Sequence, residues 1–112
     1  MQLSYSNIKV EKCFSNLSYM KRFIPLEWVK SVKKHIDWLE SADCFGDYLS
    51  LGLGKPEQLR GYKNIQYAVH ISANVRLILE PVATHDTLMS CTEIRIIGVV
   101  DYHGNKENWF IP

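Results

Sequence analysis

No stretch of this sequence is long and apolar. No run of about 18 apolar residues occurs, so a membrane-spanning helix is not expected. The opening residues, Met1-Gln2-Leu3-Ser4-Tyr5, lack the basic and apolar regions of a secretory signal. Cysteine is scarce: Cys13, Cys44 and Cys91 are odd in number, widely spaced and form no Cys-x-x-Cys pair. They read as small core residues in a reduced, cytoplasmic setting rather than as a disulfide framework. Charge of one sign is also lacking. Thirteen Lys and Arg face twelve Asp and Glu, a formal net charge of +1. Bulk charge therefore selects no partner, and any anion site must come from local clustering. No repeat, linker or low-complexity segment breaks the 112 residues, which is a length for one domain and one core. Residues 1–112 read as a single unit, with residues 104–112 a C-terminal tail.

Periodicity supplies the elements. Ile8 to Phe14 reads as a short strand with Ile8 and Val10 on one face. Ser15 or Asn16 opens a short helix carrying Leu17, Met20 and Ile24 at helical spacing, with Ser15 as a possible cap. Pro25 suits the first turn of a second helix over Leu26–Ser41, where Trp28, Val32, Ile36 and Leu39 form an apolar stripe. Residues 41–58 are rich in turn formers. Their Gly52-Leu53-Gly54-Lys55-Pro56 lacks the spacing and the Ser or Thr of a phosphate loop, so a connecting loop is expected. After Gly61 the period becomes two. Gln66–Ser72 places Tyr67, Val69 and Ile71 on one face. Val75–Pro81 places Val75, Leu77 and Leu79 on one face and Arg76, Ile78 and Glu80 on the other, with a tight turn at Ser72-Ala73-Asn74. A polar loop, Ala83 to Cys91, leads to a third strand. The expected fold is α+β: two N-terminal helices packed on a small antiparallel sheet.

The third strand carries the chemistry. Glu93-Ile94-Arg95-Ile96-Ile97-Gly98-Val99-Val100 is apolar enough to be central, and it stops at Asp101-Tyr102-His103-Gly104. Strict alternation puts Asp101 and His103 on one face and Tyr102 on the other, with Ile94, Ile96 and Val100. A carboxylate beside an imidazole suits acid–base work near neutral pH. If Arg76 faces the same pocket, a phosphodiester could lodge there, since guanidinium binds phosphate oxygens in bidentate fashion. Blander roles stay open. Arg76 could pair with Glu80 or Asp101, Tyr102 could be core, and Arg60 could sit on a solvated rim. His70 and His85 read as structural or exposed, and a zinc site of His70, Asp101 and His103 lacks recognisable ligand spacing.

Four short motifs in this order resemble the HigB-like toxins of the RelE/ParE superfamily: Leu59-Arg60-Gly61, Tyr67-Ala68-Val69-His70-Ile71, Asn74-Val75-Arg76-Leu77-Ile78 and Asp101-Tyr102-His103. The similarity spans residues 8–103. The resemblance implies the RelE-like microbial RNase fold and a ribosome-dependent mRNA endonuclease of a type II toxin–antitoxin pair, working without metal or organic cofactor through 2′-hydroxyl attack. It implies catalytic roles for Arg60, Arg76, Asp101, Tyr102 and His103, and a HigA-like helix-turn-helix antitoxin as partner beside the ribosome and mRNA. Lys55, Lys63 and Lys106 would widen the cationic surface towards RNA. Arg60 stands where the family commonly has Lys, which keeps phosphate binding but weakens any role as an acid. Two other functions remain open on the same fold: a non-enzymatic ParE-like gyrase-inhibiting toxin, and a degenerate interaction module.

Overall fold

A computed structural model describes residues 1–103 and 106–112, with the side chain of His103 excepted. The chain runs β1 (Gln2–Tyr5), α1 (Ile8–Ser15), α2 (Leu17–Met20), α3 (Leu26–Ser41), α4 (Phe45–Ser50), β2 (Glu57–Leu59), β3 (Gln66–His70), β4 (Val75–Pro81), β5 (Glu93–His103) and β6 (Lys106–Ile111). The α+β class holds. The detail differs: among the described residues four helices accompany a mixed six-stranded sheet of order β1-β5-β4-β3-β2, with β6 also paired to β5. The edge of β5 is shared. β1 lies parallel along its first half, Gln2 opposite Glu93 to Tyr5 opposite Ile96, and β6 lies antiparallel along its second half.

The expected strand over Ile8–Phe14 is a helix. Asn7 caps it by accepting from the Val10 amide at 3.0 Å, and burial falls on Val10, Cys13 and Phe14, an i, i+3, i+4 set. Ile8, which anchors the two-residue period, is left exposed. Ser15 ends this helix instead of capping the next. That role falls to Asn16, whose side chain accepts from the Tyr19 amide. The Leu26–Ser41 helix forms at its expected bounds, with its stripe turned slightly. Val29, Val32, His35 and Leu39 are buried, while Trp28 and Ile36 are half-buried. Its C-terminal carbonyls are capped by the Met1 ammonium, which donates to Leu39, Glu40 and Ala42 at 3.2, 2.9 and 2.7 Å. A cation at this end of a helix also complements its dipole.

Helix α4 lies in what reads as loop. A six-residue helix has too few positions to show a period, and Gly46 within it, with Gly52 and Gly54 just after, suggests a turn. It exists because Phe45 and Tyr48 are fully buried against Tyr67 and His35. Burying each such ring is worth about 1.5–3 kcal/mol. Gly54, part of the phosphate-loop-like string, serves packing: it has φ of 71° and its Cα lies against the His35 ring.

The hairpin at Ser72–Asn74 forms, with the Ile71 amide donating to the Val75 carbonyl at 2.9 Å. Beyond it, strict alternation fails in β5. Ile78 pairs with Gly98 but Leu79 pairs with Ile96, so Ile97 is an extra residue in a β-bulge. Ile94, Ile96 and Val99 all face the helices, whereas Val100 and Tyr102 turn to the opposite face with Ala68 and Ile78. Tyr102 therefore does not share a face with Ile94 and Ile96. A second irregularity makes Phe110 the extra residue of β6, where its ring meets Trp28. The residues read as a tail are thus partly a strand: Ile111 is fully buried.

Two outcomes follow from this packing. Gly98 has φ of 154°, and a Cβ there would collide with the Ile111 carbonyl oxygen. Gly98→Ala should cost roughly 3 kcal/mol, read as a lower urea midpoint; an unchanged midpoint would show that β6 can move aside. His35 is buried, its Nδ1 lies 2.9 Å from the Tyr48 hydroxyl, and burial holds its pKa below 6.5 against an opposing hydrogen bond with the His70 backbone. Above that range the ring is neutral both folded and unfolded. As pH falls through 6.5 and below, the unfolded chain takes a proton that the folded one resists, so stability drops by up to about 1.4 kcal/mol per pH unit for this group. Urea midpoints between pH 7.5 and 5 should fall less steeply in His35→Gln; an identical slope would remove His35 as the cause.

Candidate functional site

The helices cover one face of the sheet, here the inner face. The outer face carries a small apolar cluster of Ala68, Ile78 and Val100, joined by Leu59, Ile97 and Tyr102. Polar groups gather at the end of this face near the β3–β4 turn. His70 pairs in register with Arg76, and Arg76 with Val100. Directly paired residues project to the same side of a sheet, so imidazole and guanidinium are outer-face neighbours. Tyr102 lies two residues beyond Val100 on the same strand and face, and its amide donates to the Asn74 carbonyl at 2.8 Å. Tyr62 reaches over from the β2–β3 loop. It hydrogen-bonds with Tyr102 and donates to Glu107 Oε1 at 3.5 Å.

Each group is tuned by its neighbours. Partial burial lowers the pKa of His70, and the positive charges of Arg76 and Lys55 lower it further, against a smaller opposing effect from Glu57. The imidazole is therefore mostly neutral at pH 7, as a proton acceptor must be. Tyr102 is pushed up to about 12, first by burial, then by Tyr62 and Glu107, with Arg76 opposing. Its phenol stays protonated and can donate a hydrogen bond. Arg76 does not pair with Glu80 or Asp101. Its Nη1 donates to the carbonyls of Ser72, Ala73 and Val75 at 3.0, 3.1 and 3.1 Å, which fixes the guanidinium over the hairpin. All its hydrogen bonds among the described residues leave from that one nitrogen. Glu80 belongs to a separate network, held by Arg95 at 3.2 Å and by Asn64 and Gln66.

The carboxylate expected to complete this group is elsewhere. Asp101 pairs with Val75, a core residue of the inner face, so Asp101 and Arg76 project from opposite sides of the sheet. The pocket shared by Arg76 and Asp101 is not formed, because the bulge at Ile97 reverses the facing of every later β5 residue. Asp101 Oδ1 is buried without a hydrogen-bond partner among the described residues. The side chain of His103 lies outside the described residues, although its backbone pairs with Lys106. His70 and Asp101, on opposite faces, cannot jointly ligate a metal, and no group of three His, Cys, Asp or Glu suited to a metal occurs among the described residues.

Of the remaining cations, Lys55 and Lys106 fall around the same end, whereas Arg60 and Lys63 belong to the β2–β3 loop at the Gln66 end of β3. Lys55 is exposed near His70, and Lys106 is exposed at the start of β6. Arg60 and Lys63 line a cleft of about 480 Å3 with Gln58, Tyr62, Asn64 and His85. Tyr62 belongs both to this cleft and to the Tyr102 contact, so it joins the two. The sequence reads His70 as structural or exposed and gives Tyr62 no role. Counting outward from the 72–74 turn identifies the first, because it places His70 opposite Arg76. No comparable signal marks Tyr62.

The geometry offers a neutral base, a fixed cation and a protonated phenol on one open face, the set needed to hold a phosphodiester and take a proton from a hydroxyl beside it. Imidazole NMR titration tests the electrostatics. Arg76→Gln should raise the His70 pKa towards 6.5 and Glu57→Gln should lower it; a value indifferent to both would separate His70 from this cluster. No family model matches the chain, and neither a characterised protein nor a solved structure does.

Proposed function

We propose that this chain is a metal-independent endoribonuclease of the HigB-like toxin type, and that the outer face of the sheet is its catalytic surface. The observation that carries this reading is the in-register pairing of His70 with Arg76, with Tyr102 on the same face. In this mechanism His70 accepts the proton of the 2′-hydroxyl. The freed oxygen attacks phosphorus, and the bond to the 5′-oxygen breaks as that oxygen takes up a proton from water. Arg76, helped by Lys55, holds the non-bridging oxygens, and Tyr102 donates to the phosphate or stacks on a base. Arg60, Lys63 and Lys106 extend the path for RNA. Asp101, on the other face, takes no part in this step.

The four motifs that resemble the toxin family add the biological setting: cleavage of messages during translation, arrest of growth, and a small neutralising antitoxin encoded alongside. Among the described residues no helix is long and apolar enough to cross a membrane.

Inducing the chain alone should arrest cells, and primer extension on a translated message should show new ends at codons. His70→Ala should slow cleavage about 10²–10⁴-fold, the usual worth of a general base. Arg76→Ala should slow it at least as much, and Tyr102→Phe should cost less. Arrest with intact messages and altered DNA topology would replace the nuclease with a gyrase inhibitor. Unimpaired growth would leave only an interaction module.

A further inference from the structure

The net charge of +1 conceals a strong asymmetry. Seven of the thirteen Lys and Arg, but only two of the twelve acids, lie between Lys9 and Lys34, a local balance of +5. The rest of the chain is correspondingly acidic. The cations at Lys9, Lys12 and Arg22 are placed over the rings of Phe23 and Tyr19. Lys21, Lys30, Lys33 and Lys34 instead rim an open groove of about 440 Å3 between α2 and α3. Lys33 is paired with Asp37 at 3.0 Å; Lys21, Lys30 and Lys34 have no carboxylate partner among the described residues.

The floor of the groove is apolar, formed by Leu17, Leu26 and Val29. Leu26 is 49% exposed, although it opens a helix whose other large apolar residues are buried or half-buried. Leucines at the bottom and unpaired ammonium groups at the rim match one kind of surface: a helix with leucines on one face flanked by glutamates or aspartates. Nucleic acid fits less well, because a phosphate backbone uses the lysines but gains nothing from a leucine floor. The groove lies in the helical layer, across the sheet from His70 and Arg76, so its occupant would not compete with a ligand on the outer face.

We infer that the α2–α3 groove is a docking site for an acidic amphipathic helix of a partner protein. It stands whether or not the outer face cleaves RNA. The probe is a labelled synthetic helical peptide with leucines at i, i+3, i+4 and i+7 and glutamates elsewhere, read by fluorescence anisotropy against the full chain. Saturable binding in the micromolar range is expected, weakening with salt. Leu26→Asp and the double variant Lys30→Glu/Lys34→Glu should each weaken it about tenfold or more. Both substitutions are at exposed positions, and circular dichroism and a thermal melt verify that the fold survives. A peptide with serine in place of leucine should not bind. The inference is overturned if the serine peptide binds equally well, if Leu26→Asp has no effect, or if no saturation is reached. It is also overturned if single-stranded RNA binds this face in a manner lost in the lysine variant and kept in Leu26→Asp.

Discussion

The close approach of Gly98 to the Ile111 carbonyl governs the placement of the rest of the site. That contact allows β5 to bulge at Ile97 and β6 to lie along its second half. One extra residue in a strand exchanges its two faces from that point onward. Without the bulge, Asp101 would join Arg76 on the outer face and Tyr102 would enter the core with Ile94 and Ile96. With it, the tyrosine is delivered beside Arg76 and the carboxylate is turned inward. The chemistry available on the outer face, phenol and imidazole rather than a carboxylate–imidazole pair, follows from a single backbone irregularity.

A second constraint couples this face to the helical layer. His35 is buried in α3, bonded to Tyr48 of α4 and to the backbone of His70, and it packs on Gly54. The same segment supplies a positive-φ turn at Gly54 and Lys55, and the Gly54 carbonyl accepts from the His70 amide at 2.7 Å. The strand end bearing the candidate base is therefore held from beneath by a buried polar chain. Such networks fix one arrangement because each unpaired member would cost free energy. Lys55, which depresses the His70 pKa, is positioned by this same turn.

The two faces of the molecule carry opposite kinds of surface. The outer face is open and polar at one end of the sheet, with cations and tyrosines contributed by four separate segments. The helical side is cationic over an apolar groove built from local sequence. An almost neutral chain can thus hold two basic regions, because ten of its twelve acids lie outside residues 9–34 and some are tied up in structural networks such as that of Glu80. A whole-chain charge is a poor guide to either surface.

The sequence by itself determined whatever depends on local spacing. The long helix at Leu26–Ser41, the hairpin at Ser72–Asn74, the strand from Val75 to Pro81 and the α+β class all follow from period and turn chemistry within a few residues. It also contained the His70–Arg76 pairing, since distances from a tight turn set register. Tertiary structure alone decided the remainder. Residues 8–14 become a helix because Asn7 caps it and a core receives Val10, Cys13 and Phe14. Gln2–Tyr5 becomes a strand because the edge of β5 is there to pair with it, and α4 exists because two rings find a buried place. The bulge that assigns Asp101 and Tyr102 to their faces depends on a carbonyl thirteen residues further along the chain. Contacts of that range leave no periodic trace, which is why the His70–Arg76 pairing can be counted out from the turn while the facing of Asp101 and Tyr102 cannot.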